Sequence, residues 1–329
     1  MSERDRIANL HQPVLLQACL DLLSPALQGP EPVLVDATLG MGGHAEGALT
    51  RFPNLRLIGI DRDQEALALA TKRLEGFKDR FRGVHATYDE IPRVLSELGV
   101  QAVDGILMDL GVSSLQLDNE QRGFTYARSS VLDMRMDQSG GRTAAQLLAE
   151  ESEREIARIL RVYGEERFAS RIARAIVHVR ETEPVTTSDQ LTELIRNAIP
   201  APARRKGGNP AKRSFQALRI AVNDELHILE QALPRALSCI RVGGRLVVEA
   251  YQSLEDRIVK HVIRQGASAQ VPADLPFIPP GTEPHLREIT HKVIKASEQD
   301  IQDNPRSASV RLRAAEVLHP FDPTNRSNR

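Results

Sequence analysis

The sequence contains no tryptophan, and aromatic residues make up only 4% of its 329 residues. This scarcity argues against a platform of aromatic rings for stacking bases, which many proteins that bind single-stranded nucleic acids use. Only two cysteines are present, Cys19 and Cys239, too few for a disulfide framework or, by themselves, for a zinc site. We therefore expect two reduced thiols in a cytoplasmic protein, and no spacing of His, Cys and Asp suggests a bound metal.

The sequence also lacks an excess of either charge and any long apolar run. Its 43 basic and 44 acidic side chains leave a formal net charge of −1, so evidence for a polyanionic partner has to come from local clusters. No stretch approaches the roughly 20 apolar residues that a membrane span needs, and none near the N terminus is long enough for a signal peptide. With 41% hydrophobic and 26% charged residues, the composition is that of a globular protein.

The first part of the chain alternates short β-branched or leucine-rich runs with helical patterns, which is typical of a parallel sheet with crossover helices. The pattern predicts four strands, at residues 33–36, 55–61, 81–86 and 104–109. Three of these strands end in a carboxylate: Asp36, Asp61 and Asp109. In an open α/β sheet the carboxyl ends of the strands line the ligand crevice, so these side chains are candidates for a binding site.

The pattern becomes helical in the middle of the chain. Residues 113–213 contain no convincing strand, whereas apolar residues at helical spacing and capping-box sequences predict helices there. A length of 329 residues suggests two domains at about 150 residues each. We therefore predict an α/β core formed by residues 1–112 and 214–329, interrupted by an inserted all-helical domain at residues 113–213.

The last third returns to a mixed pattern. An apolar stripe from Phe215 to Ile240 predicts a helix that Pro234 kinks or restarts. A fifth strand is expected at residues 245–250, after a pair of glycines. Two β-rich segments, 288–295 and 309–315, are expected to pair as a terminal hairpin.

A glycine-rich turn, Gly40-Met-Gly42-Gly43-His44-Ala45, lies between the first strand and the next helix. Glycines let the backbone turn tightly and approach a ligand, while the free N–H groups at the start of the helix face the crevice. Asp61 ends the next strand, where a carboxylate can accept hydrogen bonds from both ribose hydroxyls. Together these features predict a site for a cofactor that contains adenosine.

Two such cofactors have to be distinguished, because the spacing Gly40-x-Gly42-x-x-Ala45 also fits the dinucleotide fingerprint of NAD. Asp36 precedes the glycines, where a carboxylate suits a cationic amino-acid tail and is unfavourable beside a pyrophosphate. Asp36 therefore favours S-adenosylmethionine. The plain alternative is a glycine turn that binds no ligand.

Further candidates each have an ordinary structural interpretation as well. Tyr88 follows the third strand, where it either flanks an adenine ring or is a loop tyrosine. His44 is either a ligand contact or a polar residue of the first helical turn. Asp109 either accepts a proton from the group being methylated or caps the next turn.

A basic cluster near the end of the middle segment is a candidate for binding phosphates. No acidic residue occurs between positions 204 and 219. Unneutralised basic loops bind phosphates without specifying sequence, although a solvated surface loop is the alternative interpretation. The cluster consists of Arg204, Arg205, Lys206, Lys212, Arg213 and Arg219.

The motifs of the chain, taken in order, closely resemble those of the bacterial small-subunit ribosomal RNA (cytosine-N4)-methyltransferase family, MraW or RsmH. Each motif is weak alone, but the ordered set is highly specific and spans nearly the whole chain. The set includes His11-x-Pro-Val-Leu-Leu16, Asp36-x-Thr-x-Gly-x-Gly-Gly-His44, Asp104-Gly-Ile-Leu-x-Asp-Leu-Gly-Val-Ser-Ser114, Leu132-Asp-Met-Arg-Met-Asp137, Tyr163-Gly-Glu-Glu-Arg167 and Ser253-Leu-Glu-Asp-Arg257.

The resemblance implies a Rossmann-like class I S-adenosylmethionine-dependent methyltransferase core, with a mostly parallel seven-stranded sheet that ends in an antiparallel hairpin. It implies transfer of a methyl group to the exocyclic N4 amine of one cytidine in the decoding centre (P site) of 16S ribosomal RNA, within the small subunit. The cofactor contacts that carry over are Gly42, Gly43, His44, Asp61, Tyr88, Asp109 and Gln116, with Asp36 and Gly40 as supporting loop residues.

One departure from the family pattern affects the chemistry. Family members often have Phe-His before Ser-Leu-Glu-Asp-Arg, whereas this chain has Tyr251-Gln252, so no titrating imidazole is expected there. Asp109 is the best candidate proton acceptor, because it ends the fourth strand beside the expected position of the methyl group. DNA amino-methyltransferases, however, usually have an Asp/Asn-Pro-Pro-aromatic motif at this place. The alternatives are an NAD-dependent dehydrogenase, a non-catalytic ribosome-assembly factor, or a methyltransferase for a protein or small molecule.

Overall fold

The computed structural model describes residues 13–204, 209–269 and 282–321, with the side chain of Arg204 excepted. The chain divides into two compact units, which we describe separately. The first unit ends at Gly111 and resumes at Leu226, and the second spans Val112–Glu225. Among the described residues, no helix is both long and apolar enough to cross a membrane.

The helices and strands alternate in the first unit, and helices alone follow in the second. Up to Gly111 the elements are α1 (Leu16–Leu23), β1 (Val33–Asp36), α2 (Gly43–Arg51), β2 (Arg56–Asp61), α3 (Gln64–Arg73), β3 (Phe81–His85), α4 (Ile91–Glu97) and β4 (Val103–Asp109). The next are α5 (Ser114–Asp118), α6 (Ala144–Glu150), α7 (Glu153–Gly164), α8 (Ala169–Arg180), α9 (Ser188–Ala198), α10 (Ala201–Arg204) and α11 (Lys212–Asn223). The last are α12 (Glu225–Ser238), β5 (Ile240–Ala250), α13 (Ser253–Gly266), β6 (Leu286–Glu288), α14 (Glu298–Asp303) and β7 (Arg311–Val317).

The strands of the described residues form one seven-stranded sheet in the order β3-β2-β1-β4-β5-β7-β6. Strands β1 to β5 pair in parallel, and β7 pairs antiparallel with both β5 and β6. The strand order reverses between β1 and β4, which is the topological switch point where an open α/β sheet binds its ligand. The predicted Rossmann-like α/β core is thus confirmed, and its switch point lies between the strands that end in Asp36 and Asp109.

Both faces of the sheet are buried at its centre, since every residue of β1 and all but the last residue of β4 are buried. Successive side chains of a strand point to opposite faces. Accordingly, Val33 and Val35 pack in one hydrophobic cluster, whereas Leu34 packs in another. Such two-sided burial is what the near-continuous hydrophobic runs of parallel strands indicate.

The predicted strands are found, with small differences at their ends. The fifth strand begins earlier than expected, at Ile240, so the glycine pair lies inside it. A Cβ atom at Gly244 would lie 2.8 Å from the backbone oxygen of Asp104, so this strand position admits only glycine.

The predicted C-terminal hairpin is the exception. Antiparallel pairing with β7 is found, but β6 spans only Leu286–Glu288, so the predicted segment 288–295 contributes Glu288 and an isolated bridge from Ile294 to Leu312. Helix α14 lies between the two paired strands, which therefore do not form a simple hairpin.

The second unit has its own hydrophobic core, and the described part of it contains no strand beyond an isolated bridge between Val131 and Thr187. Met134 and Met136 are buried in this core. Phe215, on α11, is buried there as well. The sequence analysis assigned residues 214–225 to the sheet domain, whereas the structure places them in the helical unit.

The apolar stripe from Phe215 to Ile240 is not one helix. Asp224 adopts a left-handed conformation with φ of +50°, and its N–H donates to the carbonyl of Ile220, which ends α11. The next helix runs through Pro234 to Ser238, so Pro234 does not restart the helix. Apolar spacing continues across the break, and therefore spacing alone could not reveal it.

Candidate cofactor site at the carboxyl edge of the sheet

The glycine-rich turn after β1 is shaped by two left-handed glycines. Gly40 has φ of +52° and Gly42 has φ of +76°, values that side chains other than glycine adopt only at a cost. A Cβ atom on Gly42 would also lie 3.3 Å from Cβ of Ala70 and from Cδ1 of Leu74. Glycine at position 42 therefore lets the turn fold and lets it pack closely against α3.

Asp61, at the end of β2, is held against this turn by two backbone amides. One carboxylate oxygen accepts from N–H of Gly40 at 2.7 Å, and the other accepts from N–H of Asp63 at 2.8 Å. Burial raises the pKa of Asp61 to about 6, although both amide hydrogen bonds oppose the shift. The remaining lone pairs of this fixed carboxylate can accept from a ligand.

Asp36 ends β1 beside the turn and is buried. It accepts a long 3.3 Å hydrogen bond from N–H of Thr38. Burial raises the pKa of Asp36 to about 7, and repulsion from Asp109 and Asp61 adds to the shift. Negative charge therefore accumulates at this edge of the sheet, which favours the binding of a cation.

Asp109 ends β4, and its carboxylate is held from two sides. The hydroxyl of Tyr251 donates to Oδ1 at 2.8 Å, and Nδ1 of His44 lies 3.7 Å from Oδ2. The backbone N–H of Asp109 donates to the hydroxyl of Thr38 at 2.6 Å. Burial raises the pKa of Asp109, while His44 and the Tyr251 hydrogen bond act in the opposite direction.

Behind Asp109 lies a group of three buried side chains: Cys19, His44 and Glu249. Nε2 of His44 is 3.3 Å from Oε2 of Glu249 and 2.9 Å from the carbonyl oxygen of Val14. Burial raises the pKa of Glu249 well above its usual value, and repulsion from Asp109 adds to the shift. The pKa of the Cys19 thiol is also raised, mainly by burial.

The sequence analysis did not identify Tyr251, Glu249 or Cys19 as parts of this site. A signal for Glu249 was available, because it pairs directly with Asp109 in the register of β4 and β5. Tyr251 was noted only as a departure from a family pattern. Nothing in the sequence could bring Cys19, on α1, to β5, since that contact depends on how the helix packs.

Tyr251 and Gln252, the residues that replace the family's Phe-His, have separate roles in the structure. Tyr251 contacts the candidate site through Asp109. Gln252 caps α13 and donates to Oε1 of Glu255 at 2.9 Å. The glutamine is therefore part of a helix cap, and the tyrosine is the member of the pair that reaches the acidic edge.

Two other predicted contacts are placed by local structure. Tyr88 opens a single 3-10 turn after β3 and packs, partly buried, against the core of the sheet. Gln116 belongs to the second unit, where it is buried in the first turns of α5. Its side-chain oxygen accepts from N–H of Ser113 at 3.1 Å, which completes a capping box.

The basic cluster is only partly described. Arg205 and Lys206 lie outside the described residues, as does the side chain of Arg204. Lys212 and Arg213 open α11, and Arg213 donates to the carbonyl of Glu165 at 3.1 Å.

Arg219 does not belong to an unneutralised cluster. It forms two 2.8 Å hydrogen bonds to the carboxylate of Glu225. The expectation of a free basic charge at this position is therefore wrong. The left-handed Asp224 turns the chain so that Glu225, which lies beyond the acid-free stretch, reaches back to Arg219.

Comparison with known proteins gives a consistent result. A family model described as the MraW methylase family matches residues 8–318. Ribosomal RNA small subunit methyltransferase H of a Nocardioides species is 58% identical over 306 residues, which cover 93% of this chain and 96% of that protein. The protein of the same name from Beutenbergia cavernae is 56% identical over 324 residues, covering 98% of this chain and 97% of that protein.

Among solved structures, an rRNA methylase from Streptococcus thermophilus covers 92% of this chain and 94% of its own, at 11% identity and a TM-score of 0.40. So low a similarity carries no argument. The fold follows from the order of the strands in the sheet of this chain. The family model and the two relatives, by contrast, each span more than nine-tenths of the sequence. The chain belongs to the MraW methylase family.

Proposed function

We propose that the protein uses S-adenosylmethionine to methylate the exocyclic N4 amine of one cytidine in the decoding centre (P site) of 16S ribosomal RNA, within the small ribosomal subunit. Membership of a methylase family and the name that two relatives share support methylation of small-subunit ribosomal RNA. The choice of cytidine N4 goes further and is supported by the resemblance of the ordered sequence motifs.

The observation that carries the proposal is the set of three carboxylates around the glycine turn, Asp36, Asp61 and Asp109, of which Asp36 is buried and the other two are partly buried. The charged groups that shift the pKa of Asp36 are both negative, so a bound cation would offset their repulsion. A sulfonium and an ammonium group supply positive charge, whereas the pyrophosphate of NAD would add negative charge. The residues present therefore fit S-adenosylmethionine.

Each part of that cofactor has a candidate partner at this edge. Asp61, fixed by two amides, would accept from the ribose hydroxyls. Asp36 would face the cationic amino-acid part, and Tyr88 would lie against the adenine. The first amides of α2, at Gly43 and His44, offer free N–H groups next to the turn.

Asp109 is the candidate proton acceptor. When bound, the cofactor supplies a methyl group on a positively charged sulfur. The lone pair of cytidine N4 is delocalised into the ring, and an acceptor on one N4 hydrogen helps to localise it on nitrogen. Asp109 would take the surplus N4 proton as N4 accepts the methyl group that the cofactor would supply.

Tyr251 positions this acceptor. Burial raises the pKa of the Tyr251 hydroxyl well above 10, and the nearby Asp109 adds to the shift. The hydroxyl therefore stays protonated at neutral pH and donates to Oδ1, which leaves Oδ2 of Asp109 to accept from the substrate. The backbone bond from Asp109 to Thr38 fixes the end of the strand.

The RNA is proposed to bind to the helical unit and to the basic residues Arg204, Arg205, Lys206, Lys212 and Arg213. Such residues contact phosphates and hold the RNA without reading its sequence. The target cytidine lies in folded RNA, so its base has to leave the stack to reach Asp109. Gln116 is the remaining proposed cofactor contact.

Incubation of the protein with isotopically labelled methyl donor and unmodified small subunits tests the proposal. The label is expected on a single cytidine of 16S ribosomal RNA, and digestion to nucleosides is expected to give N4-methylcytidine. Label on the ring carbon, on another base or on a ribosomal protein would contradict it. Naked 16S RNA, assayed in parallel, shows which form of the RNA is the substrate.

A further inference from the structure

Three side chains with metal-ligand chemistry meet behind the acidic edge, although they come from distant parts of the chain. They are Cys19 of α1, His44 of α2 and Glu249 of β5, and one possible ligand atom of each lies within 4.8 Å of the other two. A thiolate, an imidazole and a carboxylate form a mixed sulfur, nitrogen and oxygen set that suits Zn²⁺. We propose that these three residues bind one zinc ion.

Glu249 provides the second, independent observation. Its side chain is fully buried, and among the described residues neither carboxylate oxygen has a hydrogen bond of good geometry. The polar groups beside it are the other two members of the group, the Cys19 thiol and Nε2 of His44. Buried carboxylates are otherwise paired, hydrogen-bonded or bound to a metal, because removing them from water is costly. A metal ion between Glu249, His44 and Cys19 would satisfy this carboxylate.

The charge around Glu249 also favours a cation. Its charged neighbours include Asp109 and Asp36, both of which repel it, and no lysine or arginine within the described ranges forms an ion pair with it. The methyl donor is not a suitable partner for this carboxylate. The side chain of Asp109 is 20% exposed whereas that of Glu249 is 0% exposed, so a cofactor arriving from solvent meets Asp109 first.

The orientation of His44 agrees with a metal on the side of Glu249. Nε2 faces Glu249 at 3.3 Å, whereas Nδ1 faces Asp109 at 3.7 Å. Histidines that bind metals through one nitrogen usually donate the other N–H to a carboxylate, which fixes the tautomer. Asp109 is in the place of that carboxylate, and zinc binding would replace the contact between Nε2 and the carbonyl of Val14.

Zinc content is the direct test. Full-length protein purified without chelator, or reconstituted with ZnCl₂ and desalted, is expected to contain one zinc per chain by elemental analysis. After exchange with Co²⁺, a thiolate-to-cobalt charge-transfer band is expected in the near ultraviolet. Cys19→Ser is expected to abolish the band and Glu249→Gln to weaken zinc binding by about tenfold or more.

The second thiol provides a matched control, because Cys239 is the only other cysteine of the sequence. Cys239→Ser is expected to keep both the zinc and the cobalt band. A thermal melt gives a second readout that needs no cobalt spectrum, since added Zn²⁺ should raise the Tm of the native chain and of Cys239→Ser more than that of Glu249→Gln.

Substoichiometric zinc after reconstitution, or equal loss of zinc in Cys19→Ser and Cys239→Ser, would overturn the proposal. If Cys19→Ser does not fold, the zinc content of Cys19→Ala and of Glu249→Gln is compared with that of Cys239→Ser instead. Neither zinc content nor the cobalt band requires RNA or the methyl donor. A protein that binds zinc without methylating RNA would therefore contradict only the proposed function.

Discussion

The hydroxyl of Tyr251 lies 2.8 Å from Oδ1 of Asp109 and joins the segment after β5 to the end of β4. The tyrosine thus orients the carboxylate that is proposed to accept the proton. Because it is a neutral donor, it does so without adding positive charge that would weaken Asp109 as a base.

Replacement of Tyr251 by phenylalanine removes this donor and keeps the ring. A hydrogen bond to a charged group contributes about 1.5–3 kcal/mol, so the methylation rate is expected to fall by about 10- to 100-fold. Single-turnover kinetics at saturating cofactor measure the effect. Tyr126→Phe, at a ring that packs on Phe215 in the helical unit, is the control, and an equal loss there would contradict the positioning role.

Replacement of Asp109 by asparagine removes the proton acceptor with little change in shape. General-base catalysis typically contributes about 10²- to 10⁴-fold, and a loss of that order is expected in the turnover of bound substrate. Calorimetry with the demethylated cofactor separates chemistry from binding. Near-normal turnover with cofactor binding intact would show that Asp109 only contacts the cofactor.

Asp36 makes stability and cofactor binding respond to pH in opposite ways. Its pKa is about 7 in the folded chain, whereas an ordinary aspartate has a pKa of 3.8. The folded state without cofactor therefore binds more protons between these two pH values than the unfolded state does, and it loses stability as the pH rises through them. The total loss of stability over this range is at most about 4 kcal/mol. A cationic cofactor binds the ionised form, and its affinity is therefore expected to rise over the same range.

The Asp36→Asn variant tests both statements at once. Urea unfolding is measured at a series of pH values from about 4 to about 8, the range in which Asp36 is expected to titrate. The free energy of unfolding should depend less on pH in the variant than in the native chain. Calorimetry should show weaker cofactor binding whose pH dependence is reduced. An unchanged stability profile would mean that Asp36 does not titrate in this range.

Gly42 and Gly99 form a matched pair of left-handed glycines. Both have φ near +70°, but a Cβ atom on Gly42 would crowd Ala70 and Leu74, whereas one on Gly99 would meet nothing within 4 Å. Gly99→Ala is expected to cost about 1 kcal/mol of stability for conformation alone, and Gly42→Ala more. Urea unfolding measures this difference, and equal losses would contradict the role of packing against α3.

Salt dependence tests the proposed RNA contacts. Neutralising Arg204, Arg205 and Lys206 together should weaken RNA binding and flatten its salt dependence, by up to about 0.7–0.9 in the logarithmic slope for each lost phosphate contact. Arg219→Gln is the contrasting variant, because Arg219 is paired with Glu225. This variant should lower the stability of the fold and leave the salt dependence of RNA binding unchanged. If the triple variant binds RNA with unchanged affinity at several salt concentrations, these three residues do not contact the RNA phosphates.

The sheet was predictable because its signals are local. Runs of apolar residues that end in Asp36, Asp61 and Asp109 mark three strands and their ligand-facing ends at the same time. The break at Asp224 was not predictable from spacing, since a single left-handed residue changes the direction of the chain without changing its apolar period. The pairing of Arg219 with Glu225 depends on that break and was missed with it.

The candidate site was predictable only where its residues lie at strand ends or in the glycine-rich turn. Residues next to strand ends can be identified from their position in the sequence. Cys19 and Tyr251, by contrast, reach the site because a helix and a loop pack there. Glu249 is intermediate, because its place opposite Asp109 follows from strand register, which the sequence determines only once the neighbours of β5 are known.

The place of β7 in the sheet has a consequence for synthesis of the chain. Residues Arg311–Val317 occupy an interior position, between β5 and β6, although they emerge late from the ribosome. Until then β5 presents unpaired backbone groups on one side, a template for pairing with other nascent chains. The nascent protein therefore passes through an aggregation-prone stage that ends only when this late strand is translated.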